Sequence, residues 1–325
     1  MKKKLYTTKY GKLFVGDAIE ISKQYLSRYY GRKFQLIITS PPFPLNAKKK
    51  YGNLQGDSYL EWFSALAPIF NDLLSDDGSL VMEIGNSWEA GRPVQSLLHL
   101  ECLLGLVNNP DANLRLIQEF IAYNPSKLPS PAQWVTVNRI RTVDSYTHVW
   151  WMSKSDFPKA DNSKVLRPYS KKMKQLIASK NYNAGKRPSE HSISEKSFAK
   201  DNGGSISHNL FELEPIDPDR NVRLPHSVLS FSNSNSNDYF HRQCRKEGIA
   251  LHPARMQAGL VSFFMEFLTD EGDLIFDPFA GSNTTGSVAE KLKRKWIATE
   301  INEDYAHDSI IRFEDPDLNS NLKVC

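Results

Sequence analysis

Apolar runs that stop abruptly on small or charged residues alternate, over the first third of the chain, with stretches whose apolar positions recur three and four apart. "KLFVGD" (12–17), "FQLIITS" (34–40) and "SLVMEIG" (79–85) are of the first kind and predict strands. "AIEISKQYLSRYY" (18–30) and "SYLEWFSALAPIFNDLL" (58–74) are of the second and predict helices, with a turn at "SDDG" (75–78). Leu60, Phe63, Ser64, Leu66, Ala67 and Phe70 share one helical face and are read as core. Strands alternating with amphipathic helices predict an α/β fold, a parallel sheet with helices on its faces. The pattern dissolves from about residue 154 to 248, where Lys, Ser, Asn and Pro dominate and no apolar period is sustained. It resumes with a helix over "MQAGLVSFFMEFLT" (256–269). "DLIFDPFAGSNTTGSVAEKLKRKWIATEI" (273–301) then reads strand, glycine turn, helix, strand, which is one βαβ unit.

The chain has 325 residues, enough for one enzyme-sized domain with an insertion. Its 40% apolar and 24% charged content excludes a disordered or fibrous chain. No apolar run approaches the roughly 18 residues that a membrane helix needs, and "MKKKLYTTKYGK" lacks the apolar segment of a signal peptide, so a cytoplasmic protein is expected. Cys102, Cys244 and Cys325 are too few and too scattered for a disulfide framework, which fits a reducing compartment. His241 and Cys244 have a spacing that a metal could use, but no second ligand pair lies near them, and no metal is expected.

Charge changes the picture more than composition does. Between 154 and 200 twelve Lys and Arg face four Asp and Glu, a local +8 in a chain whose net charge is +4, so the remainder carries −4. A basic face on an acidic body suits a polyanion; a solvated lysine-rich segment accounts for the charge equally well.

Two stretches carry candidate chemistry. In "DPFAGSNTTG" a strand gives way to a helix. Gly281 permits close approach to the backbone, and Thr284 and Thr285 lie at the helix N-terminus, whose free N–H groups suit an anion. No GK[ST] follows, which disfavours a nucleotide-hydrolase phosphate loop, and Asn283 stands where a dinucleotide fingerprint has its second glycine. Glu300 ends the next predicted strand, where a carboxylate can accept from both hydroxyls of a ribose. The second stretch is "ITSPPFPL" (38–45), in which a buried-looking strand ends on Ser40 and two prolines stiffen the turn that follows.

At these residues the chain resembles a known family. "TSPPF" is similar to the catalytic motif of DNA amino-methyltransferases, and "DPFAGSNTTG" resembles their S-adenosylmethionine loop. Catalytic motif first and cofactor loop last is the order of the family's beta group, and serine at the motif's first position resembles its N4-cytosine members. Through "YGNL", "NPSKLPSPAQW", "VWWMSKSDFPKAD", "KVLRPYS", "KSFAKDNGGSI" and "HPAR" the likeness to the family's PvuII type covers nearly the whole chain.

The resemblance implies a Rossmann-like class I S-adenosylmethionine-dependent methyltransferase sheet with helices on both faces, plus an irregular target-recognition segment. Residues 1–153 would be the catalytic half, 154–248 the recognition segment and 249–325 the cofactor-binding half. It implies a site-specific enzyme of double-stranded DNA, acting on N4 of an extruded cytosine and partnered with a restriction endonuclease. Catalysis would fall to Ser40, Pro41, Pro42 and Phe43, with Glu83 polarising the serine where relatives usually have Asp. The Ser40 hydroxyl oxygen and the Pro41 carbonyl would accept from the amine, and Phe43 would stack on the base. The cofactor would be held by Asp277, Phe279, Gly281, Ser282, Asn283, Thr284, Thr285 and Glu300, with Asp17 near its adenine and His252, Ala254 and Arg255 at its methionine end. DNA phosphate would meet Lys48, Lys49 and Lys50, then Lys171, Lys172, Lys174, Lys186 and Arg187.

C5-cytosine methylation requires a cysteine nucleophile after a proline, and no cysteine here follows one. N6-adenine methylation uses nearly the same frame and stays open, as do a catalytically silent DNA-binding relative and a nicotinamide oxidoreductase.

Overall fold

The computed structural model describes residues 3–43, 56–180, 185–186, 188–190, 192–193, 200–213, 229–231, 238–249 and 256–325. Among these residues the strands are β1 (Lys3–Thr7), β2 (Gly11–Val15), β3 (Phe34–Thr39), β4 (Leu74–Ile84), β5 (Arg115–Tyr123), β6 (Tyr146–Ser153), β7 (Gly185–Lys186), β8 (Ser192–Ile193), β9 (Leu210–Leu213), β10 (Leu229–Phe231), β11 (Leu274–Asp277), β12 (Lys295–Glu300) and β13 (Lys323–Val324). Among the described residues, eleven of them form one sheet in the order β10-β9-β5-β6-β4-β3-β11-β12-β2-β1-β13. Its middle, β4-β3-β11-β12-β2, is wholly parallel. The α/β class read from the alternation is therefore the class observed.

The helices are α1 (Ala18–Ile21), α2 (Ser27–Tyr30), α3 (Gly56–Ser64), α4 (Leu66–Leu73), α5 (Leu98–Val107), α6 (Lys171–Ser179), α7 (Tyr239–Glu247), α8 (Ala258–Leu268), α9 (Thr284–Lys291) and α10 (Glu303–Asp308). A π-helical stretch, Ser22–Leu26, joins α1 to α2, so the helix expected over 18–30 is one run with a widened middle. The helix expected over 58–74 is broken between α3 and α4. Pro68 brings no N–H, and the Ser64 carbonyl four residues earlier accepts instead from Asn109 Nδ2 at 2.9 Å. The turn expected at 75–78 is a bulge inside β4: Phe34 pairs with Leu74, yet Leu36 pairs with Ser79.

Strand alternation divides the core into two layers. Leu36, Ile38, Val81, Ile275 and Ala298 pack with α8 on one face, while Ile37, Leu80, Met82, Phe276 and Ile297 pack with α3 and α4 on the other. Burying a Leu, Ile or Phe contributes about 1.5–3 kcal/mol, so these layers hold the strand ends in place.

The irregular stretch 154–248 is partly built into the sheet. β9 runs parallel to β5, and Phe211 stacks on Phe120 at 5.4 Å. A four-residue strand is too short to leave a readable period. Lys159 pairs with Asp270 and Asp273 (2.8 and 2.7 Å) and Lys164 with Asp270 (2.5 Å), which ties the start of the basic segment to the body.

Candidate active site

Parallel strands deliver their C-terminal ends to one edge of the sheet, and both motifs emerge there. β3 lies beside β11, which lies beside β12. Ser40, just past β3, and Glu300, the last residue of β12, are thus two strand spacings apart, about 10 Å. One ligand of nucleoside size can span that interval.

A buried hydrogen-bond seam joins the two motifs. Thr39 Oγ1 donates to Asp277 Oδ1 at 2.8 Å, Thr285 Oγ1 donates to Asp277 Oδ2 at 2.6 Å, and the Phe279 N–H donates to Asp277 Oδ1 at 3.1 Å. Burial pushes the Asp277 carboxyl up to about 6, against the lowering by these donors. Of the side chains expected to hold a cofactor, Asp277 and Thr285 are therefore engaged with each other and with the residue preceding Ser40. Asn283 is engaged too: its Oδ1 accepts from the Gly286 N–H at 2.9 Å and its Nδ2 donates to the Tyr6 hydroxyl at 2.9 Å. These three shape the loop.

Asn283 has φ 54°, a left-handed conformation that Asn tolerates better than most residues, which explains how it stands at a glycine position. A Cβ on Gly286 would come within 2.5 Å of Asn283 Oδ1, so the cap requires glycine there. Gly281 is also left-handed, at φ 52°.

The Glu300 carboxylate is 8% exposed and accepts from the Gly281 N–H at 2.7 Å and the Asn302 N–H at 2.9 Å. Burial raises its proton affinity while these backbone donors lower it. A carboxylate offers about four acceptor sites, so beyond these backbone donors it keeps lone-pair capacity for hydroxyls of a ligand. The Thr284 hydroxyl, at the start of α9, has no hydrogen-bond partner among the described residues. Arg312 Nε donates to the Ser282 carbonyl at 2.6 Å and Arg312 Nη2 to its hydroxyl at 3.1 Å. Phe279 packs against Trp62, with ring centroids 5.7 Å apart. An acidic strand end, a left-handed glycine, a helix N-terminus and an aromatic wall fit a nucleoside that carries a charged tail, the chemistry of S-adenosylmethionine. Asp17 caps α1 through the Glu20 N–H at 2.9 Å, and the neighbouring Gly16 N–H donates to the Glu300 carbonyl, so Asp17 sits at this edge as well. His252, Ala254 and Arg255 lie outside the described residues, as do Lys48, Lys49, Lys50 and Arg187.

On the other side of the seam Thr39 is in register with Met82, which places Ser40 level with Glu83 on the adjacent strand. The Ser40 hydroxyl has no hydrogen-bond partner among the described residues. Pro41 is buried and Pro42 half-buried. Phe43 is 8% exposed and meets Tyr59 edge-on at 5.8 Å, so in this conformation its ring anchors the motif to the core and offers little face to a base. Glu83 Oε1 accepts from Thr147 Oγ1 at 2.9 Å, and desolvation raises its pKa. Lys127 lies within electrostatic reach of Glu83, half-buried, with its proton affinity lowered by desolvation.

Behind them His148 bridges Glu119 (2.6 Å) and Asn86 (3.0 Å) and stacks on His99 at 4.8 Å. Sequence reasoning missed Thr147, His148 and Lys127. "YTHVWW" and "NPSKLP" carry no motif by themselves, and β6 reaches Glu83 only through antiparallel pairing. Lys171, Lys172 and Lys174 are exposed on α6, none of whose residues is buried, and make no ion pair with a described residue; Lys186 is exposed on β7. His241 and Cys244 lie one turn apart on α7, His241 Nδ1 being 2.6 Å from the capping Asp238 carboxylate.

The profile of the N6/N4 DNA methylase family matches residues 34–311. The chain is 41% identical over 320 residues to the type II methyltransferase M.PvuII of Proteus hauseri, covering 98% of this chain and 88% of that protein. The solved structure of the cytosine-N4-specific PvuII DNA methyltransferase superimposes with a TM-score of 0.71 at 34% identity, covering 95% of this chain and 88% of that one. A complex of M1.HpyAVI with SAM superimposes at 0.51 with 17% identity, covering 93% and 98%, a likeness of fold.

Proposed function

The chain belongs to the N6/N4 DNA methylase family, and on that premise we propose that it is a site-specific DNA methyltransferase that moves the methyl group of S-adenosylmethionine to the exocyclic N4 amine of cytosine in double-stranded DNA. The observation that carries the reading is the Thr39–Asp277–Thr285 seam, which sets the acceptor motif and the cofactor loop at adjoining strand ends. S-adenosylmethionine supplies a methyl carbon activated by a sulfonium.

The residues of the chain do the rest. Cytosine N4 is a weak nucleophile because its lone pair is delocalised into the ring. Ser40 Oγ and the Pro41 carbonyl accept from its two N–H groups, which favours a tetrahedral nitrogen and frees that pair; the prolines fix the angle of the carbonyl. The base must leave the duplex to reach them. Glu83, level with Ser40 and with raised proton affinity, is the acceptor for the proton that the amine loses. Glu300 holds the ribose, Gly281 and the first turn of α9 receive the charged tail, and Asp277 acts as the brace between the two halves. Asp17 and the 252–255 segment complete the cofactor pocket in this proposal. Lys171, Lys172, Lys174 and Lys186, with Arg187 and Lys48 to Lys50, supply affinity for phosphate.

M.PvuII is named a type II methyltransferase, and by analogy we assign this chain a restriction endonuclease as functional partner, in the cytoplasm. Among the described residues no helix is long and apolar enough to cross a membrane. Transfer of labelled methyl to duplex DNA, followed by nucleoside analysis, tests the assignment. N4-methylcytosine is expected; N6-methyladenine alone would move the chain to the adenine branch, and no transfer would refute it.

A further inference from the structure

The connection between β5 and β6, residues 124–145, leaves the sheet at the edge that carries Ser40. β6 runs antiparallel to both of its neighbours, with His148 opposite Ile84 of β4 and Tyr146 opposite Tyr123 of β5. Its base is clamped: the Asn124 N–H donates to the Ser145 carbonyl at 2.6 Å, Arg141 pairs with Asp144 at 3.0 Å, and Arg141 Nη1 reaches the Pro93 carbonyl at 3.3 Å in the segment after β4.

Above that base the connection is built as a rigid protrusion. A π-helical turn over Gln133–Val137 is closed by Thr136 Oγ1 to the Ala132 carbonyl (2.7 Å) and Gln133 Nε2 to Asn138 Oδ1 (2.8 Å). The N–H groups of Ile140 and Arg141 both donate to the Trp134 carbonyl (3.0 and 3.2 Å). No residue of that turn is buried. Ordering backbone carries an entropy cost that burial ordinarily offsets, and here the offset is limited to the half-buried Trp134 and Val135.

The tip presents Val137 (67% exposed) and Ile140 (60% exposed) on either side of exposed Arg139. Arg139 is held at φ 54°, a conformation that costs an arginine more than an asparagine or glycine. A pre-ordered pair of β-branched side chains flanking a guanidinium, at the mouth of the catalytic edge, calls for an occupant that is apolar between two anionic rails. Lys127, Arg139 and Arg141 against Asp144 alone give the connection the complementary sign.

We propose that the Val137–Ile140 tip enters the DNA duplex at the gap left by the extruded cytosine, its two apolar side chains replacing the lost base stacking while Arg139 meets the flanking phosphate. Apolar side chains wedged between base steps are a known means of holding a distorted duplex open. The inference rests on the reading of the chain as a base-extruding methyltransferase and adds the element that holds the base out.

The test uses the full chain and a duplex, chosen after the modified position has been mapped, with 2-aminopurine replacing the target cytosine. The wild-type protein should raise the fluorescence as the base unstacks. The double variant V137A/I140A should lose at least fivefold of that rise and about tenfold in kcat/KM, with S-adenosylmethionine affinity and melting temperature unchanged, since both residues are exposed. R139A should lower the slope of log affinity against log salt by about one. A V137A/I140A protein with full fluorescence and kcat/KM within twofold of wild type overturns the inference. So does a change in its oligomeric state with unstacking intact, which would mark the tip as a contact between copies. A wild-type protein that methylates DNA but never unstacks the base also overturns it while sparing the transfer reading; one that transfers no methyl group at all sinks the proposed function first.

Discussion

The two sides of the Thr39–Asp277 seam are built differently. On the cofactor side Asp277, Asn283, Thr285 and Glu300 each have defined protein partners, and most of the loop is buried. On the base side the Ser40 hydroxyl has no hydrogen-bond partner among the described residues, and Glu83 accepts a side-chain hydrogen bond from Thr147. A pocket for a ligand that stays through the approach to the transition state is best shaped in advance. A group that must accept a hydrogen bond at one moment of the cycle is best left open, because a resident partner would have to be displaced first.

Removing the open acceptor should have the largest effect. Ser40→Ala should lower kcat by roughly a hundredfold, the usual loss for one preorganised polar contact to a transition state, with DNA and S-adenosylmethionine affinities unchanged. Single-turnover kinetics beside equilibrium binding checks this, and equal turnover would put the acceptor elsewhere.

Asp277→Asn probes the engaged side through pH. The folded carboxyl titrates at about 6, above its unfolded value near 3.9. The folded state thus binds the proton more tightly, and the associated stability is present in full below pH about 4 and lost as pH rises past about 6. At 1.36 kcal/mol per unit this is about 3 kcal/mol. Urea unfolding between pH 4 and 7 should show the wild type losing that much relative to Asp277→Asn; parallel pH profiles would deny the seam a buried charge.

Glu300→Ala should weaken S-adenosylmethionine binding by about tenfold, in line with about 1.5 kcal/mol for a hydrogen bond to a charged group, while an undiminished calorimetric affinity would move the ribose elsewhere. The smallest change in turnover is expected from Lys171→Ala, Lys172→Ala and Lys174→Ala together. Because their side chains are exposed on a helix without a buried residue, they should reduce the salt slope of DNA binding by about two to three and leave saturated kcat unaltered. A constant slope would remove α6 from the phosphate contacts.

The alternation of apolar runs foretold β2, β3, β4, α8 and the β11–α9–β12 unit, because periodicity and turn chemistry act within a few residues of each strand or helix. The break at Pro68 was equally local, yet the period of 58–74 continued across it and hid it. Short β9 and β10 left no period, so their place in the sheet was not legible.

The two motifs likewise carried their chemistry on their own residues: a serine before paired prolines, a glycine turn before a helix, an acid at a strand end. What tertiary structure alone decided was which polar atoms are already taken. Thr39 is 238 positions from Asp277, and Asn283 is 277 from Tyr6, so those partners arise only when the sheet order brings β3 beside β11 and the N-terminal strands close over α9. The same long-range pairing set Glu83 against Thr147 and brought residues 124–145 to the sheet edge that carries Ser40. Side chains reveal what they could bind through local chemistry; what they do bind depends on register between strands distant along the chain, which no local pattern encodes.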